Sequence, residues 1–282
     1  MPDLSQRLAL ALDEDLGPGD LTTEACVGPT AMGRAELIAK QDVVVSGLSY
    51  ARAAFEAAAK RYGAFVALHE DAIDGDRVSR GATIARVSGN LRAILVGERL
   101  ALNLMMRASG IATHVRAVVD AVGPATFRVV DTRKTTPLWR DLEKAAVRHG
   151  GAGNHRFGLF DGVLIKDNHI AACGGVGEAI ARARDAVHHL VRIEVEVTHL
   201  GQLDEALQAG ADAVLLDNMD DATMAAAVRR VRETGRSIGI EASGNMTAER
   251  MRRIADLGLD LVSMGGLIHQ ARWADLSLNV TP

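Results

Sequence analysis

The sequence has few cysteines, few aromatic residues and no excess of basic residues. Its two cysteines, Cys26 and Cys173, are too few for a disulfide framework or a zinc site. A net charge of −4 with 3% aromatic residues argues against a nucleic-acid surface, which needs a basic face and stacking rings. No apolar run approaches the roughly 20 residues of a membrane-spanning helix, and the N-terminus lacks a secretory signal. These absences predict a cytoplasmic globular protein that binds neither nucleic acid nor membrane.

The first part of the chain mixes helical and strand-like segments. With 282 residues and 48% hydrophobic content, the chain can form one large domain or two smaller ones. Leucine spacing predicts a helix from Leu91 to Arg107, and Gly110 is expected to separate it from a second helix, Ile111–Val122. Earlier segments are a helix within residues 1–20, strands at Arg34–Lys40 and Val43–Val45, and a helix at Tyr50–Tyr62.

After Val122, strand-like and helical segments alternate, which predicts a parallel sheet with crossover helices. Five of the six expected strands run into charge, and parallel barrels collect functional residues at the carboxyl ends of their strands. The last strand runs into Gly265-Gly266, and the final loops of such barrels commonly bind phosphate. The expected strands are Phe127–Asp131, Gly162–Lys166, Val191–Val197, Ala213–Asp217, Ser237–Glu241 and Leu261–Met264, with one or two more possible around Gly153–Arg156.

Cationic residues follow the first two of these strands. Arg133 and Lys134 come after the first, and Lys166 ends the second. A helix is expected between them, from Leu138 to His149, and it is followed by a second cationic pair, His155-Arg156. Arginine forks match carboxylates and phosphates bidentately, so this convergence predicts a pocket for a small polyanion. For any one of these residues taken singly, a surface ion pair is the more common role.

Acidic residues occupy the next two strands. Glu194 and Glu196 alternate with apolar residues, so both point to the same face of their strand. Carboxylates inside a barrel must be paired or bound to metal, and Asp217 at the next strand end can supply a further oxygen. Oxygen ligands of this kind suit magnesium. The alternative is an ion pair with Lys134 or Lys166, which we expect for Glu194.

Several segments resemble the quinolinate phosphoribosyltransferase family. They are D-T-R-K-T-T-P at 131–137, N-H-R-F-G-L-F-D at 154–161, L-I-K-D-N-H at 164–169 and G-E-R-L-A-L-N at 97–103. The resemblance implies an N-terminal α/β sandwich-like domain, residues 1–110, with the tail 273–282 packed against it. It also implies an incomplete TIM-like α/β barrel of six or seven strands, residues 111–272. The implied reaction joins quinolinate to phosphoribosyl pyrophosphate, releasing pyrophosphate and carbon dioxide.

The resemblance also implies roles for individual residues. The two carboxylates of quinolinate would be held by Arg99, Arg133, His155 and Arg156, and Lys134 and Lys166 would neutralise carboxylate or pyrophosphate. Glu196 and Asp217 would bind Mg²⁺ and the ribose hydroxyls, while the 5-phosphate would lie on Ser243, Gly244, Asn245, Gly265 and Gly266. The family pattern further implies an oligomer, at least a dimer, in which Arg99 reaches the active site of a neighbouring chain.

Other readings of the sequence remain open at this point. A related group associated with molybdenum transport shares the implied fold, and a Schiff-base aldolase could use Lys134 or Lys166. A phosphate-sensing module is the non-catalytic alternative. The chain also departs from the family pattern at Leu138-Trp139, where a glycine is usual, and at Leu267-Ile268-His269-Gln270, near the expected phosphate site.

Overall fold

The structure is a computed structural model that describes residues 3–281. Met1, Pro2 and Pro282, which belong to the expected domain 1–110 and tail 273–282, lie outside the described residues. The first part of the chain contains α1 (Leu4–Leu16), α2 (Leu21–Cys26), β1 (Met32–Ala39), β2 (Val43–Val44), α3 (Leu48–Arg61), β3 (Val66–Glu70), β4 (Arg77–Val78), β5 (Thr83–Asn90) and α4 (Leu91–Val122).

The second part of the chain alternates strands with helices, as the sequence predicts. It contains β6 (Arg128–Val130), α5 (Arg140–His149), β7 (Val163–Ile165), α6 (Asp167–Cys173), α7 (Val176–Ala186), β8 (Ile193–Val197), α8 (Leu200–Gln208), β9 (Ala213–Asp217), α9 (Asp221–Glu233), β10 (Gly239–Ser243), α10 (Ala248–Arg253), β11 (Leu261–Ser263), α11 (Gly266–His269) and β12 (Leu276–Thr281). All six expected barrel strands are therefore present, although most are shorter than predicted.

The chain forms two compact units. The first comprises Met1–Arg116, Thr135–Gly151 and Ile268–Pro282, and its main sheet is antiparallel with the strand order β12-β1-β5-β3. The second comprises Ala117–Lys134 and Ala152–Leu267, and its parallel sheet has the order β6-β11-β10-β9-β8-β7. No pairing joins the edge strands β6 and β7 within the described chain, so the barrel is open there.

Packing in the second unit follows the alternation of its strands. Ile193, Val195 and Val197 of β8 are fully buried, whereas Glu194 and Glu196, which alternate with them on the other face, are largely buried but keep some exposure. This is the alternation expected of a strand with one apolar face. The arrangement confirms the incomplete TIM-like α/β fold. Among the described residues, no helix combines the length and hydrophobicity needed to cross a membrane.

Helix α4 corrects one expectation from the sequence. It runs without interruption from Leu91 to Val122, so Gly110 does not separate two helices. A Cβ at Gly110 would lie 2.1 Å from the carbonyl oxygen of Arg272 and 3.0 Å from the amide nitrogen of Ala274. The glycine therefore allows the C-terminal segment to cross the helix closely, and Ala274 donates a hydrogen bond to the Met106 carbonyl there (2.9 Å).

The segment before α5 is held by a buried arginine. The helix begins at Arg140, two residues later than expected, because Leu138 has a left-handed backbone (φ 67°). The Arg7 guanidinium donates a hydrogen bond to the Leu138 carbonyl. It also donates two hydrogen bonds, of 2.8 and 2.5 Å, to the carboxylate of Asp141. It also lies 4.9 Å from the centre of the Trp139 ring. Arg7 thus stabilises a conformation that leucine disfavours.

Arg7→Met should destabilise the protein by about 2–3 kcal/mol, because Asp141 and the Leu138 carbonyl lose their charged partner. The Arg7 side chain is 4% exposed, so water cannot replace these bonds easily. Arg61→Met is the matched control, since the Arg61–Asp13 pair spans 3.7 Å between side chains that are 51% and 59% exposed. It should cost less than about 1 kcal/mol. Urea denaturation measures both values, and equal losses would contradict the role of Arg7.

Candidate active site

The predicted site residues of the second unit gather at one edge of the parallel sheet. Parallel strands place their carboxyl ends together, and each strand here carries at least one predicted site residue at or just after its C-terminal end. They are Arg133 and Lys134 after β6, Lys166 after β7, Glu196 in β8, Asp217 and Ser243 as the last residues of β9 and β10, and Gly265 and Gly266 after β11.

The guanidinium group of Arg156 lies within electrostatic range of Arg133 at this edge. Arg156 is half-buried and donates to the Gly162 carbonyl (2.8 Å). Burial and the positive charge of Arg133 both lower the pKa of Arg156. A site that holds two repelling cations is complementary to an anion, because a bound carboxylate would relieve the repulsion. Lys134, next to Arg133, is exposed.

Asp131 organises the loop that carries His155 and Arg156. Its side chain is fully buried, accepts the His155 amide N–H at 2.8 Å and accepts the Asn154 side-chain amide at 2.7 Å. The same loop forms an isolated parallel bridge between Val130 and Gly153, in the region where the sequence allows a further strand. Sequence reasoning placed Asp131 at the strand end but gave it no role. Its position before the cationic pair was the available signal.

His155 faces two carboxylates inside the barrel. Its Nε2 lies 3.5 Å from Glu194 and 3.5 Å from Glu241, while its Nδ1 accepts the Arg156 backbone N–H (2.7 Å). Glu241 is 1% exposed, and neither of its carboxylate oxygens makes a well-formed hydrogen bond within residues 3–281, although Ser263 lies nearby. Burial and the charge of Glu194 raise the pKa of Glu241 to about 7.

Sequence reasoning missed this cluster. It treated Glu241 as the charged end of a strand, but β10 continues to Ser243, and Glu241 lies in mid-strand with its side chain buried. Within the described chain, His155, Glu194 and Glu241 are also the residues whose potential metal ligands lie close together. They differ from the predicted metal pair, Glu196 and Asp217. The available signal was the alternation of side chains along a strand, which places Glu241 and Ala242 on opposite faces and so allows Glu241 to point into the barrel.

Glu241→Gln should remove a pH dependence of stability. In the unfolded chain the carboxyl ionises near 4.5, but in the fold it keeps its proton up to about pH 7. The free energy of unfolding of the wild type should therefore fall by on the order of 3 kcal/mol between these two pH values. Above pH 7 this carboxyl should cause no further loss. Urea denaturation of both proteins from pH 4 to 9 gives the difference curve. A difference that stays flat across this range would contradict a raised pKa at Glu241.

Lys166 pairs with Glu196 rather than with Glu194. The Lys166 ammonium donates to a Glu196 carboxylate oxygen, and Glu196 is largely buried. The expectation for Glu194 is therefore wrong, because the loop between α5 and β7 places His155 3.5 Å from Glu194 instead. The backbone around Lys166 is fixed by His169, whose Nδ1 accepts the Lys166 amide N–H (2.9 Å).

The ends of β9 and β10 form a linked pair of turns. Ser243 pairs in register with Asp217, so their side chains belong to neighbouring strand ends. Asn218 and Asn245 follow with left-handed backbones, φ 53° and 47°. An open groove of about 550 Å³ lies beside them, lined by Asn218, Met219, Asp220, Asp221, Ala222 and Arg250.

Arg99 is the predicted site residue that belongs to the first unit. It lies on α4, is exposed, and makes no hydrogen bond or ion pair within residues 3–281. The structure places the other predicted residues in the second unit, at one sheet edge. The exposed position of Arg99 leaves its guanidinium accessible to an anion or to another chain.

Comparison with known proteins gives matches along nearly the whole chain. The model of the quinolinate phosphoribosyl transferase N-terminal domain matches residues 20–109, and that of the C-terminal domain matches residues 111–279. A probable nicotinate-nucleotide pyrophosphorylase [carboxylating] of Bacillus subtilis is 42% identical over 269 residues, covering 95% of this chain and 90% of the relative.

More distant relatives show the same similarity. A tobacco (Nicotiana tabacum) quinolinate phosphoribosyltransferase [decarboxylating] is 35% identical over 294 residues, covering 99% of this chain and 82% of the relative. Among solved structures, the nicotinate-nucleotide pyrophosphorylase from Francisella tularensis superposes with a TM-score of 0.90 at 33% identity, covering 99% of this chain and 96% of that one. Sequence and fold therefore agree over both units.

Proposed function

This chain belongs to the quinolinate phosphoribosyltransferase family, and from that premise we propose that it makes nicotinate mononucleotide. It transfers phosphoribose from phosphoribosyl pyrophosphate to the ring nitrogen of quinolinate. The 2-carboxylate leaves as carbon dioxide and the other product is pyrophosphate. The reaction makes the chain a pentosyltransferase of pyridine nucleotide biosynthesis.

One observation supports this function most strongly. The repelling pair Arg133 and Arg156 lies at the same sheet edge as the turns that end β9 and β10. Quinolinate carries two adjacent carboxylates and suits paired guanidinium groups, whereas the sugar phosphate suits a turn rich in small residues and backbone amides. Such a site can hold a dicarboxylate and a phosphorylated sugar side by side.

The reaction mainly requires charged groups in fixed positions. As pyrophosphate leaves, positive character develops on the ribose, and the pyridine nitrogen forms the new bond to that carbon. The cationic ring then accepts the electron pair left by carbon dioxide. Arg133, His155 and Arg156 orient the dicarboxylate, and Lys134 and Lys166 balance the charge of carboxylate or pyrophosphate. Preorganised charges of this kind lower the barrier without an acid or base.

We propose that Glu196 and Asp217 hold Mg²⁺ and contact the ribose hydroxyls. The donor set fits, since both are carboxylates on neighbouring parallel strands, and oxygen donors suit magnesium. Lys166 already balances part of the charge of Glu196. Magnesium, when bound, would neutralise the pyrophosphate of the substrate. Ser243, Gly244, Asn245, Gly265 and Gly266 are proposed to hold the 5-phosphate.

The chain is also proposed to act as a homo-oligomer, at least a dimer. In this proposal Arg99 of one chain completes the quinolinate site of its neighbour, in line with the family resemblance. The exposure of Arg99, which makes no hydrogen bond within residues 3–281, supports the idea. Two-fold pairing would give two equivalent sites. The cytoplasmic location stays a prediction.

A Schiff-base aldolase is disfavoured by the contacts of Lys166. Such an enzyme needs a lysine nitrogen that is free to attack a carbonyl, but Lys166 Nζ is held in an ion pair with the Glu196 carboxylate. Lys134 lies beside Arg133 instead. The full-length relatives also disfavour the group associated with molybdenum transport.

Chromatography of the products tests the proposed function. The protein should convert quinolinate and phosphoribosyl pyrophosphate to nicotinate mononucleotide when magnesium is present. Nicotinate, which lacks the 2-carboxylate, is the matched control substrate and should be used poorly. Preference for nicotinate would contradict the assignment. A covalent adduct trapped on Lys134 or Lys166 by borohydride would instead support the aldolase.

A further inference from the structure

Asn218 occupies a strained position between two proposed ligand groups. It directly follows Asp217, and its backbone is left-handed (φ 53°), a conformation that asparagine tolerates better than most residues. Its amide N–H donates to the carbonyl of Ser243 (3.1 Å), the last residue of β10. The backbone of Asn218 therefore ties the end of β9 to the end of β10, beyond the regular ladder of the sheet.

The side chain of Asn218 links the same two places. Its Nδ2 donates to Asp217 Oδ2 (2.7 Å), and its Oδ1 accepts from Asn245 Nδ2 (3.3 Å). One amide group thus connects the turn proposed to hold the 5-phosphate, residues 243–245, to the carboxylate proposed to hold magnesium and ribose. A bond donated to a carboxylate is stronger than one between neutral groups, so it restricts the rotation of Asp217.

Gly244 shows how closely the two turns approach. A Cβ at this position would lie 2.2 Å from Asn218 Oδ1 and 2.9 Å from the Asn218 backbone nitrogen. The φ of Gly244 is also left-handed, at 90°. The sequence gives Gly244 a role in exposing bare amides to phosphate, but the structure adds a second requirement. Any side chain here would displace Asn218.

Arg250 also holds the two turns together. Its guanidinium donates to the Gly244 carbonyl (3.2 Å), to the Met219 carbonyl (2.5 Å) and to Asp221 Oδ1 (2.9 Å). The β9 turn and the β10 turn are therefore joined through Arg250 as well as through Asn218. Within residues 3–281 Arg250 makes no hydrogen bond to Asp217, whereas Asn218 does, so the link to the carboxylate runs through Asn218.

We propose that Asn218 is a positioning residue that couples the phosphate turn to the Asp217 carboxylate. The proposal rests on the proposed function. A phosphate bound at residues 243–245 fixes Asn245 and the Ser243 carbonyl, and these hold Asn218. Asn218 then keeps its hydrogen bond to Asp217 Oδ2, which leaves Asp217 Oδ1 available to magnesium or a ribose hydroxyl. Binding of the sugar phosphate thereby sets the carboxylate in place for the same substrate.

Asn218→Gly and Asn218→Asp test the coupling. Glycine keeps the left-handed backbone and removes the amide, while aspartate keeps the size but removes the donor to Asp217. Each should raise the KM for phosphoribosyl pyrophosphate about tenfold, the effect of losing one charge-assisted hydrogen bond, and change the quinolinate Kd by less than about twofold. Asn279→Asp, an exposed asparagine on β12, is the matched control and should match the wild type.

A double-mutant cycle separates positioning from a merely structural role. In an Asp217→Asn background, Asn218→Gly should have little further effect on phosphoribosyl pyrophosphate, because its target carboxylate is absent. The role of Asn218 would be overturned if Asn218→Gly raised the KM for phosphoribosyl pyrophosphate as much in the Asp217→Asn background as in the wild type. Unchanged KM values in both single variants would overturn it as well. In either case, turnover by the wild type would leave the proposed function intact. A wild type without turnover would overturn the proposed function and this inference together.

Discussion

Arg156→Ala should abolish measurable quinolinate binding, and Arg133→Ala should do the same, while both variants stay folded. The two guanidinium groups lie close enough for the charge of Arg133 to lower the pKa of Arg156, and a bound dicarboxylate would use both. Each lost bidentate, charge-assisted contact should cost about 2 kcal/mol or more. Calorimetry with quinolinate measures the loss, and thermal unfolding checks the fold.

Arg182→Ala provides the matched control for these variants. Arg182 lies on α7 with a side chain 61% exposed, paired with Glu178 one helical turn earlier. Its removal deletes the same charge from the same unit without touching the sheet edge, so quinolinate affinity should stay as in the wild type. Unchanged affinity in Arg133→Ala or Arg156→Ala would refute the assignment of the dicarboxylate site.

Two inactive proteins should regain activity when mixed. Arg99→Ala leaves the second unit intact, and Lys134→Ala leaves Arg99 intact, so each homo-oligomer is expected to be inactive for a different reason. If Arg99 serves the neighbouring chain, one of the two sites in a mixed dimer contains both native residues. Its activity should approach about half that of the wild type by counting sites under two-fold symmetry.

Co-expression with two different affinity tags isolates the mixed dimer for this test. The tagged wild-type dimer, purified in the same way, gives the reference activity. Recovery well above that of either parent supports a shared site. A verified mixed dimer without activity, or a fully active monomer, would show that Arg99 acts within its own chain or has no role.

Regular periodicity allowed much of the fold to be predicted. Strand β9 was predicted with the bounds Ala213–Asp217 that the structure has, because an apolar run between a polar start and an acidic end is unambiguous. The cationic residues after β6 and β7 were likewise identified from charge at strand ends. Parallel topology places these residues on the same side of the sheet, since parallel strands present their carboxyl ends together.

Long-range contacts explain the expectations that failed. The sequence pattern predicts a helix boundary at Gly110, but the structure requires glycine there because the backbone of Arg272, far away in the sequence, leaves no room for a Cβ. Glu196 rather than Glu194 pairs with Lys166, because the loop held by Asp131 decides which acid His155 covers. Glu241 and Asn218 were missed for the same reason, since their roles depend on which strands lie side by side.

Release of labelled carbon dioxide from carboxyl-labelled quinolinate tests the central claim most directly. With phosphoribosyl pyrophosphate and magnesium present, the protein should release one carbon dioxide for each nicotinate mononucleotide formed, and omission of phosphoribosyl pyrophosphate should abolish the release. Arg182→Ala should release it at the wild-type rate, and Arg156→Ala should not release it. No release by the wild type, or release that does not depend on phosphoribosyl pyrophosphate, would contradict the account.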